Sequence, residues 1–86
     1  MFHKKINDEA HIFIMNKPSK VSITMFFVFF PIDILFLDKD KKIVEQYESI
    51  KPWSNLFPKN KSLYVIELPN KTISSIGIKI GDKLNF

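Results

Sequence analysis

The chain has 86 residues, room for one domain built around one hydrophobic core. It has no cysteine, which excludes disulfides, thiolate catalysis and cysteine-based zinc sites together. Its formal charge of +4 comes from 13 lysines and no arginine against nine acids, and the lysines are interleaved with those acids. That pattern favours a solvated mixed-sign surface and disfavours nucleic acid as a partner, because bidentate contacts to phosphates and guanine edges are mainly arginine chemistry.

The apolar content sits in large, strand-favouring side chains: nine Phe, two Tyr, one Trp and thirteen Ile, with one Ala and two Gly. Residues 11–15 (HIFIM) read as a short strand closed by the turn-prone Asn16-Lys17-Pro18-Ser19. Residues 23–29 read as a second, which Pro31 ends or bends. Residues 32–37 (IDILFL) form the clearest strand, with Ile32, Ile34 and Phe36 on one face and Asp33, Leu35 and Leu37 on the other. A tight turn at residues 38–41 leads into a returning strand over 42–48, with Ile43, Glu45 and Tyr47 facing one way and Val44, Gln46 and Glu48 the other. Residues 49–61, with two prolines, two asparagines and the tryptophan, read as a long loop, and 62–68 as the next strand. Asn70 is placed to cap a short helix over 71–76 that Gly77 stops, and Gly81-Asp82 turns the chain into a last strand over 83–86. The expectation is a single mainly β domain over residues 1–86: a small closed or half-open barrel with one short helix near the C-terminus.

No targeting signal is evident in the first twenty residues, which are interrupted by charge. Residues 21–37 are very apolar, but Pro31 and Asp33 break them, and a spanning helix needs about 20 apolar residues. No membrane span and a cytoplasmic location are therefore expected.

Several stretches recur in order and at fixed spacing: residues 22–38 with Pro31-Ile32-Asp33 at their centre, then Lys51-Pro52-Trp53, then Glu67-Leu68-Pro69, then Gly77 through Gly81-Asp82. This series resembles the small archaeal and bacterial proteins grouped as domain of unknown function family 192. The likeness covers roughly residues 9–84, and it implies a compact β-rich fold without implying an activity. Thr24 stands where that family often has His, Val28 where it has Met, and Phe29 where it has a basic residue, so any polar site built there lacks two of its groups here. The stretch from Gly77 to Phe86 is also similar to the strand corner of swapped-hairpin DNA-binding barrels, though the fragment is short.

Asp33 is the sharpest anomaly, a carboxylate on an apolar strand. It is either a group that meets a ligand or an acceptor for loop N–H groups, and the second role is favoured, since an unpaired buried charge costs several kcal/mol. Glu67 repeats the pattern on its own strand, and the two acids offer a paired-carboxylate enzyme of the glycosidase type as one alternative. His3 and His11 have no partner at metal-ligand spacing, so neither a metal nor another cofactor is expected. Trp53, in Lys51-Pro52-Trp53 on the longest loop, either plugs the core or offers a flat surface to a ligand. Phe26, Phe27, Phe29 and Phe30 put apolar groups on both faces of one strand and suggest a homodimer interface. The favoured function is a non-enzymatic domain that binds a small ligand or a protein, with Asp33, Lys51, Pro52, Trp53 and Glu67 as candidate residues. A swapped-hairpin DNA-binding barrel dimer is the third reading.

Overall fold

The structure, a computed structural model, describes residues 11–20, 23–24, 31–51 and 54–85. Six strands and a helix follow in chain order: β1 (His11–Ser19), β2 (Ile23–Thr24), β3 (Ile32–Leu37), β4 (Ile43–Ile50), β5 (Asn55–Leu56), β6 (Ser62–Pro69) and α1 (Thr72–Ile76). β1, β6, β3 and β4 lie side by side in that order as an antiparallel sheet, and β2 pairs with β5 in a separate ribbon. The chain is mainly β with one short helix. Among the described residues the four-stranded sheet is open, with β1 and β4 as its outer strands.

β3 is short and almost wholly apolar because it lies inside the sheet with both faces covered, and all six of its residues are buried. Leu35 and Leu37 pack with Ile43, Ile66, Leu68, Ile73 and Ile78, which places α1 and the segment after it on that face. Ile32, Ile34 and Phe36 pack with Val65 on the other, where Met15, Val44, Tyr47, Ile50 and Leu56 lean against them.

The β3–β4 hairpin closes on Asp38, whose Oδ1 accepts the N–H groups of Asp40 (2.9 Å) and Lys42 (3.0 Å), while Lys41 takes a left-handed φ of 64°. The alternation expected along β4 is broken just after the turn. Leu37 pairs with Ile43 but Phe36 pairs with Glu45, so Val44 is an extra residue and a bulge separates Ile43 from the face of Glu45 and Tyr47. Ile43 accordingly belongs to the helix-side core and not to theirs.

Four other expectations need correction. The turn expected at 16–19 is extended strand, since β1 runs on to Ser19. β1 is an outer strand, where Pro18 can be tolerated because its missing N–H need not join a ladder. The loop expected over 49–61 is partly ordered, with β4 reaching Ile50 and β5 pairing with β2. Asn70 does not cap α1: Lys71, at a φ of 70°, is the N-cap and makes no side-chain cap bond. Gly77 does end the helix in the left-handed region at a φ of 80°, its N–H bonded to the carbonyl of Ile73 (2.9 Å). The last strand, finally, is reduced to one bridge between Lys42 and Lys83, held by bonds from Leu84 N–H to Lys41 O (2.9 Å) and from Ile43 N–H to Asp82 O (2.8 Å). The phenylalanines at 26, 27, 29 and 30 lie outside the described residues.

Candidate functional site

Where β3 begins, β4 and β6 end. The pairs Ile32–Pro69, Asp33–Leu68, Ile34–Glu67 and Ile32–Ile50 bring Asp33, Glu67 and the residue after β4, Lys51, to one end of the sheet. Partners across a ladder point to the same face, and successive residues point to opposite ones. Asp33 therefore shares the helix-side face with Leu68, and Glu67 shares the opposite face with Ile34. The two acids do not converge. The paired-carboxylate arrangement needs both groups on one cleft, and the sheet stands between them.

Asp33 is fully buried and both its oxygens are engaged. Oδ1 accepts the N–H of Ser49 (2.9 Å) and Oδ2 the N–H of Ile73 (2.8 Å). Each of those amides lies at or beside a non-glycine residue with left-handed backbone, Ser49 at a φ of 53° and Lys71, two positions before Ile73, at 70°. Such backbone costs about 1–2 kcal/mol per residue in an L-amino acid and persists only where the surroundings hold it. Asp33 thus ties the last turn of β4 to the first turn of α1. It serves α1 as a cap supplied from a distant strand in place of the Asn70 expected from sequence. Asn70 instead accepts the Ser49 hydroxyl (2.7 Å), and Thr72 Oγ1 donates to the carbonyl of Pro69 (2.6 Å). Outside this frame Ser49, Lys51, Asn70 and Lys71 are exposed. Pro52 and Trp53, which continue from Lys51, lie outside the described residues.

The other face carries a polar pair that the sequence reading passed over. Glu45 is 7% exposed. Its oxygens accept the Tyr47 hydroxyl and the Asn60 N–H, and the Tyr47 ring meets Phe36 edge-on at 6.0 Å. Burial pushes the Glu45 carboxyl up, but the bonds from Tyr47 and Asn60 outweigh it and hold the group below the usual carboxylate value. The Tyr47 hydroxyl is pushed up to about 12, first by that bond and then by burial. The spacing Glu-x-Tyr on one strand face was the available signal, by the same argument that singled out Asp33. Glu67 lies on this face too, half-buried, between His11 on β1 and Ile34 on β3. Burial pushes it above the usual value and the charge on His11 pulls part of the way back. Among the described residues no group of three or more His, Asp or Glu is placed to hold a metal ion.

Residues 1–86 match the model of the family described as Uncharacterized ACR, domain of unknown function 192. The chain belongs to that family. It is 33% identical over 79 residues to a UPF0127 protein of Thermococcus sibiricus, covering 90% of this chain and 51% of that protein. It is 34% identical over 79 residues to a UPF0127 protein of Pyrococcus horikoshii, covering 90% of this chain and 68% of that one. A crystal structure of a protein of unknown function from Novosphingobium aromaticivorans superimposes with a TM-score of 0.84 at 28% identity, over 100% of this chain and 64% of its own. Another, of a Sinorhizobium meliloti protein described as a candidate transcription regulator, gives 0.85 at 26%, over 99% of this chain and 68% of its own. The chain thus spans about half the length of the Thermococcus relative and under two thirds of the Novosphingobium structure.

Two of the stretches that carry the family 192 likeness are neighbours in space. Pro31-Ile32-Asp33 opens β3 and Glu67-Leu68-Pro69 closes β6, and their residues pair directly. Of the departures from the family 192 pattern, Thr24 lies on β2 and pairs with Asn55, while Val28 and Phe29 fall outside the described residues.

Proposed function

We propose that this member of family 192 is a non-enzymatic binding domain of the cytoplasm. It meets a small ligand or a protein at the end of the sheet framed by Ser49, Lys51, Asn70 and Lys71, with Pro52 and Trp53 next in sequence after Lys51. One observation carries the reading: a single buried carboxylate, Asp33, holds two left-handed turns that present these exposed residues. Strained backbone held rigid from within suits a surface whose shape must be kept before anything binds. A half-open barrel belongs to the same reading, although the β2–β5 ribbon is separate from the four-stranded sheet among the described residues. Trp53 is the only tryptophan in the sequence, so its fluorescence reports on the stretch after Lys51 without labelling. Titration with acetate, inorganic phosphate, glucose and an N-acetylated tripeptide should give a saturable change with one of them. Lys51→Ala should abolish that change while melting like the wild type. Flat titrations with all four probes, or a Lys51→Ala protein that still responds, would remove the reading.

A second reading, a DNA-binding dimer, is favoured by the description of the Sinorhizobium neighbour. Lysines scattered among acids, with no arginine, argue that any duplex binding is weak and independent of sequence. It should then vanish as salt rises from about 50 to 200 mM. Binding that selects a sequence and survives that rise would put this reading first.

A further inference from the structure

Three acids on the sheet are buried or half-buried, and two of them are used up. Asp33 accepts two backbone N–H groups, and Glu45 accepts the Tyr47 hydroxyl and the Asn60 N–H. Glu67 differs: among the described residues no hydrogen bond or ion pair reaches its carboxylate. Burial of half the group costs its charged form, the charge on His11 opposite offsets only part of that cost, and an ionised carboxylate can only accept, so a ligand that completes it is a donor. The ladder supplies the surroundings. His11 faces Glu67 directly, and Phe13 faces Val65, two residues along on the same face. A diagonal neighbour of that kind lies about 7–8 Å away between backbones, within reach of an aromatic side chain. Phe13 is 48% exposed although it stands on the face that carries a buried core.

We propose that Glu67, Phe13 and His11 form a recognition site for an organic cation, a primary ammonium or guanidinium group carried on an apolar stem. Glu67 takes the charge, the face of Phe13 takes the stem and adds a cation–π attraction, and His11 sets the rim at the start of β1. A divalent metal fits poorly, because hard cations take six or more oxygen ligands and Glu67 is the single carboxylate in the cluster. The site is independent of the Lys51 surface proposed above, which lies at the same end of the sheet but is framed by the helix-side carboxylate, Asp33.

The test is a titration of 15N-labelled protein at neutral pH with butylammonium chloride, against sodium chloride at equal ionic strength. Saturable shifts should gather at the amides of His11, Phe13, Val65 and Glu67. They should disappear in Glu67→Gln and weaken several-fold in Phe13→Ala, the loss expected for a cation–π contact. Because Glu67 makes no internal bond among the described residues, Glu67→Gln should fold and melt no lower than the wild type, which a thermal melt confirms. A second arm uses Nα-acetyl-lysine amide: tighter binding than butylammonium assigns the cation to a peptide, and weaker binding to a free amine. Shifts that sodium chloride reproduces, or that Glu67→Gln leaves unchanged, overturn the site. None of these outcomes depends on the Trp53 fluorescence response.

Discussion

Asp33 sits one residue into a strand with both faces covered, and its charge is tolerable there because two backbone N–H groups point at it. Asp33→Asn keeps the shape but leaves one of those amides facing an NH₂ group. Stability measured by urea unfolding should fall by about 1–3 kcal/mol, the range for losing a charged buried hydrogen bond. A mutant that unfolds like the wild type would remove the clamp. Glu45 and Glu67 share a face but answer to pH with opposite signs. Glu45 is held below the usual carboxylate value, so the stability it adds is present above that value and is lost as the pH falls through its folded pKa. Glu67 is held above the same value, so its folded form prefers the proton and its contribution is lost as the pH rises through its folded pKa. Glu45→Gln should therefore melt lower than the wild type at neutral pH, with the gap closing in acid. Glu67→Gln should melt no lower at neutral pH and should remove the loss of stability that the wild type shows as its Glu67 ionises. Melting profiles from pH 3 to 8 decide both; the same sign for the two variants would contradict the assignment.

At the scale of elements, α1 is five residues long, too short to persist by its own propensity. Packing holds it: Ile73 is 2% exposed in the helix-side core, so Ile73→Ala should cost about 2–5 kcal/mol. Asn70→Ala removes only a contact with the Ser49 hydroxyl at an exposed position and should cost well under that, whereas a true N-cap would cost about 1 kcal/mol. Equilibrium unfolding of the pair separates the two accounts. β3 was legible because a short apolar run between Pro31 and a charged turn has few other solutions, and the helix stop was legible in Gly77. The cap was not. Asn70 is a good local signal, but it lost to a carboxylate that the fold brings in from β3, and no window around residue 70 contains it. The bulge at Val44 was hidden for a similar reason, since alternation predicts facing only while the register with β3 is unbroken. Asp33 and Glu67 stand out in the sequence as acids on apolar strands, and their separation by the sheet depends on a pairing register that neither strand carries alone.

At the scale of the whole molecule the phenylalanine-rich stretch bears on self-association. Phe26, Phe27, Phe29 and Phe30 have apolar groups for two faces, and one domain of this length covers one with ease. A dimer at micromolar concentration is the expected outcome by light scattering, and Phe26→Glu or Phe27→Glu, whichever points outward, should yield a folded monomer. A wild-type monomer at high concentration would end that expectation. Among the described residues no helix is long and apolar enough to cross a membrane. The bond from Asp33 to Ile73 has a consequence of a different kind, because it joins residues 40 apart, and the one to Ser49 joins residues 16 apart. In a chain without disulfides the carboxylate works as a non-covalent crosslink that forms only once three segments have met. The amide of Ile73, in a first helical turn that ordinarily frays, should then exchange its hydrogen with solvent only when β3 itself comes apart. Its exchange rate becomes a clock for global unfolding, and assembly of that corner should be a late, slow event in folding.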